Sequence, residues 1–191
     1  MTGRLNGCMI ALLATDGVEQ VELIAPVAAL REEGAEVHVV SDKKERIQGF
    51  SHHDKGDEIK VDMPLEEADA DQYDGLVLPG GVINPDALRL EPRAIDFVRH
   101  FVKERLPIAA ICHGPWTLID ADGVSGKTMT SWPSLKTDLG NAGARWVDES
   151  VVVDANLVTS RKPDDLPVFN ARMIDMFENA AHRPVASEGP R

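Results

Sequence analysis

The chain alternates between short, unbroken apolar runs and longer segments in which apolar residues recur every three or four positions. The apolar runs have the length and composition of buried strands in a parallel sheet. They occupy residues 8–14, 36–41, 73–79 and 107–111. The periodic segments have the spacing of helices with one buried face. They occupy residues 19–33, 92–104 and 164–180. This alternation predicts an α/β protein in which helices connect parallel strands by right-handed crossovers.

Shorter segments complete the predicted elements. Residues 42–64 are more charged and less periodic, and they predict a small β-hairpin excursion. A second hairpin is predicted around residues 151–159, a helix at 133–141 and a loop at 82–86. Pro26 interrupts the first helical pattern, and we expect it to kink that helix or to mark a restart.

These elements together predict a three-layer α/β sandwich around a mostly parallel central sheet. A chain of 191 residues suits a single domain with a sizeable core. We expect that core at about 8–180 and a frayed tail at 181–191.

The charge balance narrows the classes of partner. The chain has 20 basic and 32 acidic residues, a formal charge of −12. Such a field repels phosphate backbones, so we expect no nucleic-acid groove. The chain shows neither an apolar stretch of membrane-spanning length nor a signal peptide. We therefore expect a cytoplasmic protein without a membrane partner.

The strongest candidate for chemistry is Cys112, which follows the apolar run 107–111 and precedes His113, Gly114 and Pro115. Pro115 suits the first turn of a helix, so the cysteine falls on a strand-to-helix elbow. Such an elbow lifts a nucleophile above the sheet edge and aims backbone N–H groups at it. We expect the thiol there to be accessible, and the field of the helix to favour its thiolate.

Two other strand ends should meet this elbow, because ligands bind at the carboxyl ends of parallel strands. One is the segment 16–22. The other carries Gly80 and Gly81, whose amides form a candidate oxyanion hole together with the elbow around Gly114. The only other cysteine, Cys8, opens the first strand, and we expect it to serve packing.

Two further patterns do not predict a site. Adjacent histidines in Ser51-His52-His53-Asp54 lie on a polar loop without ligand spacing, so we expect no metal there. The segment 123–128 matches only the end of a phosphate loop, because Ala121 stands where that motif needs glycine.

Three separated motifs resemble one known family, and four shorter ones agree with it. The three are VEQVEL at 18–23, LVLPGG at 76–81 and AICHGP at 110–115. The shorter ones are TSWP at 130–133, NAG at 141–143, WVD at 146–148 and VVVD at 151–154. Their order and approximate spacing are similar to those of the PfpI family, in the class I glutamine-amidotransferase-like superfamily. The resemblance covers about residues 8–178.

The resemblance implies a flavodoxin-like sandwich in which Cys112 is the nucleophile and Glu19 lies beside its sulfur. Glu22 lies three residues on, and helical spacing puts both carboxylates on one side; Glu22 can instead be merely solvated, which is the interpretation we favour. In PfpI-like proteases an acid from a neighbouring subunit orients the histidine after the cysteine. Here that histidine is His113, and the acid would be Asp86, one methylene shorter than the family's glutamate and after a one-residue insertion. The resemblance therefore implies a homodimer or higher homo-oligomer. We also expect Trp116 and Trp132 to contact substrate.

Three functions follow as hypotheses. The first is a stress-protective cysteine enzyme that needs no metal or organic cofactor and acts on glyoxals or early glycation adducts, a deglycase or glyoxalase III-type activity. The second is an intracellular cysteine peptidase with an intersubunit triad of Cys112, His113 and Asp86. The third is a redox sensor or holding chaperone without enzymatic activity, in which Cys112 is oxidised to sulfenic and sulfinic acid.

Overall fold

A computed structural model describes residues 3–181, and the centre of the fold is a seven-stranded sheet. The strands are β1 (Met9–Leu13), β2 (Val18–Glu19), β3 (Glu36–Ser41), β4 (Arg46–Ser51), β5 (Asp54–Lys60), β6 (Met63–Pro64), β7 (Gly75–Leu78), β8 (Ile108–Ile111), β9 (Thr128–Met129), β10 (Arg145–Trp146), β11 (Val151–Asp154) and β12 (Leu157–Ser160). The helices are α1 (Gln20–Glu32), α2 (Ile83–Leu88), α3 (Pro92–Lys103), α4 (Pro115–Asp120), α5 (Lys136–Asn141) and α6 (Leu166–Ala181). Of the tail predicted to fray, all but Ala181 lies outside the described residues.

The order of the central sheet is β11-β12-β8-β7-β1-β3-β6. Its strands run parallel except β11, which pairs antiparallel with β12 at the edge. β1 lies in the middle, with Ile10 opposite Val37 of β3 and Gly75 of β7. This arrangement confirms the predicted mostly parallel sheet and places the ends of β1, β7 and β8 side by side.

The core has two halves because successive side chains of a strand point to opposite faces of the sheet. Ile10 and Leu12 belong to the half under α1 and α6, whereas Ala11 and Leu13 belong to the half under α3 and α4. Phe169 of α6 fills the first half and Phe101 of α3 the second, both fully buried. The three predicted layers are therefore present.

The predicted excursion at 42–64 is a hairpin of β4 and β5 that pairs with the short β2 in a second sheet. Pro26 lies inside α1, which is one continuous helix and does not restart. Leu23, Val27 and Leu30 bury the inner side of that helix, and this packing outweighs the hydrogen bond that proline cannot donate.

The prediction of a plain loop at 82–86 is wrong, because Ile83–Leu88 forms helix α2. Pro85 lies in its first turn, where no backbone donor is needed. Asn84 is buried and fixes this segment through its side chain, which accepts a hydrogen bond from Thr15 N–H (2.8 Å) and donates to the carbonyls of Pro79 (3.0 Å) and Gly80 (3.1 Å). Within residues 3–181, none of the helices is long and apolar enough to cross a membrane.

Candidate active site

The elbow predicted at Cys112 is present between β8 and α4. Cys112 has a φ of +60°, in the left-handed region that a residue with a side chain rarely adopts. The backbone on both sides of it is fixed, since its N–H donates to Ser160 O (3.0 Å) and its carbonyl accepts from Trp132 N–H (2.9 Å). Pro115 begins α4, as the sequence predicts. This strained turn directs the thiol toward the edge shared by β7 and β1.

The acid beside the thiol is Glu22, in the first turn of α1. Its side chain is fully buried (0 % exposed) and packs, like the side chain of Cys112, against Gly80. One carboxyl oxygen, Oε2, accepts from Gly80 N–H (2.9 Å), while Oε1 has no hydrogen-bond partner among residues 3–181. Burial raises the pKa of Glu22 to about 8, helped by the charge of Glu19 and opposed by the bonds to Cys112 and Gly80. The carboxyl is therefore mostly neutral at pH 7 and can act as a proton donor.

The expectation that Glu22 is solvated is wrong, because its side chain is fully buried. The place of Glu19 beside the sulfur stays a prediction. Glu19 belongs to the short strand β2, opposite Phe50, and its Oε2 accepts from His52 N–H (3.0 Å) at the tip of the β4–β5 hairpin. The helix begins one residue later, at Gln20. Glu22 therefore falls on the face that α1 turns toward the sheet, where it is buried.

The thiol of Cys112 is less accessible and less acidic than the sequence suggests. The residue is only 7 % exposed. Burial and the charge of an ionised Glu22 raise the pKa of the Cys112 thiol, while hydrogen bonds from the amides of Gly81 and His113 lower it. The expected gain from the helix end is thus outweighed by desolvation. Because two negative charges in one dry pocket repel each other, thiolate and neutral Glu22 belong together.

His113 reaches its neighbour's sulfur, with 3.3 Å between Nδ1 and Sγ. Its other ring nitrogen, Nε2, lies 3.5 Å from the hydroxyl oxygen of Ser134. The ring stacks on Trp132 (5.9 Å between centroids, 24° between planes) and lies 6.0 Å from Trp116. Burial lowers the pKa of His113 to about 4, so the imidazole is neutral at pH 7. The sequence analysis does not identify Ser134 as a contact of His113, although Ser134 directly follows the predicted residues Trp132 and Pro133.

Of the three glycines predicted to form an oxyanion hole, only Gly81 directs its amide at the sulfur. Gly81 has a φ of +80°, which a side chain would strain. The amide of Gly80 is occupied by Glu22, and a Cβ at Gly80 would lie 2.4 Å from Glu22 Oε2 and 2.6 Å from Cys112 Cβ. The amide of Gly114 donates to Ile111 O (2.9 Å). The donors at the sulfur are therefore Gly81 and His113.

Three further residues were predicted to belong to the site: Trp116, Trp132 and Asp86. Trp116 is fixed by a hydrogen bond from Nε1 to Asp138 (2.8 Å) and by the Arg89 guanidinium 5.2 Å from the centre of its ring. Trp132 is 39 % exposed, so its ring is open to an incoming molecule. Asp86 lies exposed on α2. Its contact with His113 of a neighbouring subunit stays a prediction.

The arrangement combines a thiol nucleophile, a neutral carboxyl, a neutral imidazole and two backbone amides. These groups suit addition to a carbonyl carbon, since the acid can supply a proton as negative charge develops on oxygen. Among residues 3–181, no group of three or more His, Cys, Asp and Glu side chains is arranged to hold a metal ion.

Comparisons with known proteins find one family and one fold. The model of the DJ-1/PfpI family matches residues 9–176. A protein of Pyrococcus abyssi named a deglycase is 45 % identical over 169 residues, 88 % of this chain and 99 % of the relative. A protein of Bacillus subtilis named as the putative cysteine protease YraA is 41 % identical over 88 % of this chain and 98 % of the relative. The crystal structure of DJ-1beta from Drosophila melanogaster superposes with a TM-score of 0.80 at 30 % identity, covering 91 % of this chain and 95 % of that one.

Proposed function

The chain belongs to the DJ-1/PfpI family, and from this premise we propose that it is a cysteine enzyme that acts on glyoxals or on early glycation adducts. The observation that carries the proposal is the packing of the buried Glu22 carboxyl and the Cys112 thiol against the same residue, Gly80. A relative named a deglycase, 45 % identical, supports the same class of reaction. The proposed biological role is protection against carbonyl stress.

The chemistry begins when the Cys112 thiol gives its proton to the neutral imidazole of His113, whose Nδ1 lies 3.3 Å from the sulfur. The imidazolium passes that proton to the Glu22 carboxylate once Glu22 has protonated the adduct, and the imidazole is neutral again. The species that attacks is the thiolate. It adds to the aldehyde carbon of an α-oxoaldehyde, and the carbonyl π electrons move to oxygen. The amides of Gly81 and His113, which face the sulfur, can hold that oxyanion while Glu22 delivers its proton to it. The imidazole of His113, 3.3 Å from the sulfur, is placed to take a proton from the adduct carbon and to return it to the neighbouring carbon. Water then releases a 2-hydroxy acid, so one carbon is oxidised as its neighbour is reduced.

The buried position of Cys112 and His113 favours small substrates. Cys112 and His113 are each 7 % exposed. A three-carbon dicarbonyl compound can approach such a thiol more easily than a folded polypeptide chain can. The half-exposed Trp132 offers a flat apolar surface for the remainder of a larger adduct.

Purified protein assayed side by side against methylglyoxal, a glycated peptide and casein tests the proposal. We expect consumption of methylglyoxal or release of the peptide, both lost in Cys112→Ser and retained in the matched variant Cys8→Ser. Cys8 is buried and precedes β1, at the edge of the parallel sheet opposite to the one where Cys112 follows β8. Equal rates in wild type and Cys112→Ser would rule out the mechanism.

The contact between Cys112 and His113 favours a second candidate, a cysteine peptidase. The relative named as a putative cysteine protease points the same way. This candidate needs a homo-oligomer in which Asp86 of one subunit reaches His113 of another. We expect Asp86→Asn to abolish cleavage of casein in that case, with the oligomer unchanged in size-exclusion chromatography. Cleavage that persists in Asp86→Asn contradicts the intersubunit triad.

A further inference from the structure

The side chain of Asn84 bridges two strand ends beside the candidate site, and the chemistry proposed above gives it no part. The residue is buried, with 1 % of its surface exposed. Its Oδ1 accepts a hydrogen bond from Thr15 N–H (2.8 Å), in the segment that follows β1. Its Nδ2 donates to the carbonyls of Pro79 (3.0 Å) and Gly80 (3.1 Å), in the segment that follows β7. One buried amide therefore ties the carboxyl ends of two paired strands together.

A side-chain amide is what these three partners require. One backbone N–H faces Oδ1 and two carbonyl oxygens face Nδ2, so the site needs one acceptor and two donor hydrogens. A carboxylate at position 84 could accept from Thr15 N–H, but it would place negative charge against two carbonyl oxygens. An aliphatic side chain would withdraw a hydrogen bond from three backbone groups at once. The three partners therefore select asparagine at position 84.

Asn84 holds the glycine turn, residues 80–81, and this turn contacts both reacting side chains. Gly80 N–H donates to Glu22 Oε2 (2.9 Å). A Cβ at Gly80 would lie 3.0 Å from Cys112 Sγ, so the backbone of this glycine lies directly against the thiol. The next amide, Gly81 N–H, faces the sulfur. The peptide bond between the two glycines is trans, so the Gly80 carbonyl and the Gly81 N–H point in opposite directions. Fixing that carbonyl therefore fixes the direction of the amide.

We propose that Asn84 is a positioning residue that keeps the glycine turn packed against the Cys112 thiol. A second donor to the carbonyl of Gly80, Glu19 N–H, lies farther away, at 3.3 Å. Asn84 binds this carbonyl at 3.1 Å and the preceding one, Pro79 O, at 3.0 Å. Its side chain thus holds the turn at two successive peptide groups. The inference rests on the proposed function, which assigns the oxyanion to this turn.

Amide hydrogen exchange followed by NMR tests whether Asn84 holds the turn, and kinetics with methylglyoxal tests whether the turn matters. The variant is Asn84→Asp, whose ionised side chain keeps the shape and can still accept from Thr15 N–H but cannot donate. We expect exchange of Gly80 N–H to accelerate at least about 10-fold more than exchange of Leu12 N–H in β1. We expect kcat to fall about 100-fold with little change in KM, because a displacement of about 1 Å in a reacting geometry costs that much.

The matched control is Asn156→Asp. The side chain of Asn156 also donates to a backbone carbonyl, Leu106 O (2.7 Å), but before β8, at the opposite edge of the sheet. We expect kcat, and the exchange of Gly80 relative to Leu12, to stay as in wild type there. Equal acceleration at Gly80 and Leu12 in Asn84→Asp would show lost stability alone and overturns the inference. A wild-type kcat in a variant whose Gly80 exchange has accelerated overturns it too.

Should Asn84→Asp fail to fold, Asn84→Ser is measured in the same way, since a hydroxyl donates one hydrogen bond where the amide donates two. Wild-type exchange at Gly80 together with a wild-type kcat in folded Asn84→Ser then overturns the inference. Hydrogen exchange needs no turnover. A wild type inactive on methylglyoxal therefore contradicts the proposed function alone, and exchange at Gly80 still decides whether Asn84 holds the turn.

Discussion

Replacement of Glu22 by glutamine should make the protein more stable as the pH rises. Glutamine keeps an oxygen that can accept from Gly80 N–H, the bond that Glu22 Oε2 now accepts at 2.9 Å. It removes a carboxyl whose ionisation burial opposes. The native pKa of Glu22 is about 8, against an ordinary value of 4.5. The unfolded chain therefore releases this proton at a lower pH than the folded protein does.

The direction in which stability changes with pH follows from the linkage between proton binding and folding. A carboxyl whose native pKa is raised costs no stability below pH 4.5, and stability is lost as the pH rises from there to about 8. One pH unit in this window corresponds to about 1.4 kcal/mol. Between about pH 5 and about pH 7.5, wild type should lose about 3 kcal/mol relative to Glu22→Gln. Any constant cost of burying the amide cancels in this comparison.

Urea unfolding under reducing conditions, at several pH values across that window, measures the difference. The matched control is Glu58→Gln, the same substitution at an exposed position on β5. We expect its curve to run parallel to that of wild type, while the curve of Glu22→Gln diverges. If the difference between Glu22→Gln and wild type stays constant from acid to neutral pH, the neutral buried carboxyl is refuted.

Four further outcomes follow from the same contacts. Gly80→Ala should lower methylglyoxal turnover at least about 100-fold with little change in secondary structure by circular dichroism, because its Cβ would lie 2.4 Å from Glu22 Oε2 and 2.6 Å from Cys112 Cβ; turnover near wild type would show that this close packing is not needed. Burial lowers the pKa of His113 to about 4. The pH profile of kcat/KM should therefore show no inflection near pH 6.5, and an inflection there that disappears in His113→Asn would contradict the neutral imidazole. Phe169→Ala empties a fully buried site and should cost about 3–5 kcal/mol in urea unfolding; a loss under about 1 kcal/mol contradicts the packing of α6. Mild peroxide followed by mass spectrometry should oxidise neither Cys112 nor Cys8 readily, because both residues are buried and burial raises the pKa of each thiol; rapid and selective oxidation of Cys112 would contradict this expectation.

Burial patterns in the sequence were enough to predict the layers of the fold. A strand such as Ile108–Ile111 is apolar because both of its faces are covered, and this signal is local. Helix α2 escaped prediction for the opposite reason. Its six residues are held by the buried side chain of Asn84, which bonds Thr15, Pro79 and Gly80. Such tertiary bonds leave no periodic trace in the sequence.

The sequence predicts which segments form the candidate site, but it does not predict which acidic residue lies buried there. The elbow at Cys112 and the convergence of three strand ends follow from strand length and turn chemistry. The choice between Glu19 and Glu22 depends on the residue at which α1 begins, and helix starts are poorly marked without a capping side chain. Glu19 precedes this helix and its side chain makes no cap hydrogen bond. The desolvation that raises the pKa of the Cys112 thiol likewise depends on distant segments that meet only in the fold.

The most direct test of the account is mass spectrometry of the Cys112 peptide after rapid quenching of the protein with methylglyoxal. We expect a covalent adduct on Cys112 that accumulates within a turnover, decays as substrate is exhausted, and decays more slowly in Glu22→Gln. An active enzyme that modifies only lysine, arginine or Cys8, with Cys112 unmodified throughout turnover, would contradict the claim that this thiol is the nucleophile.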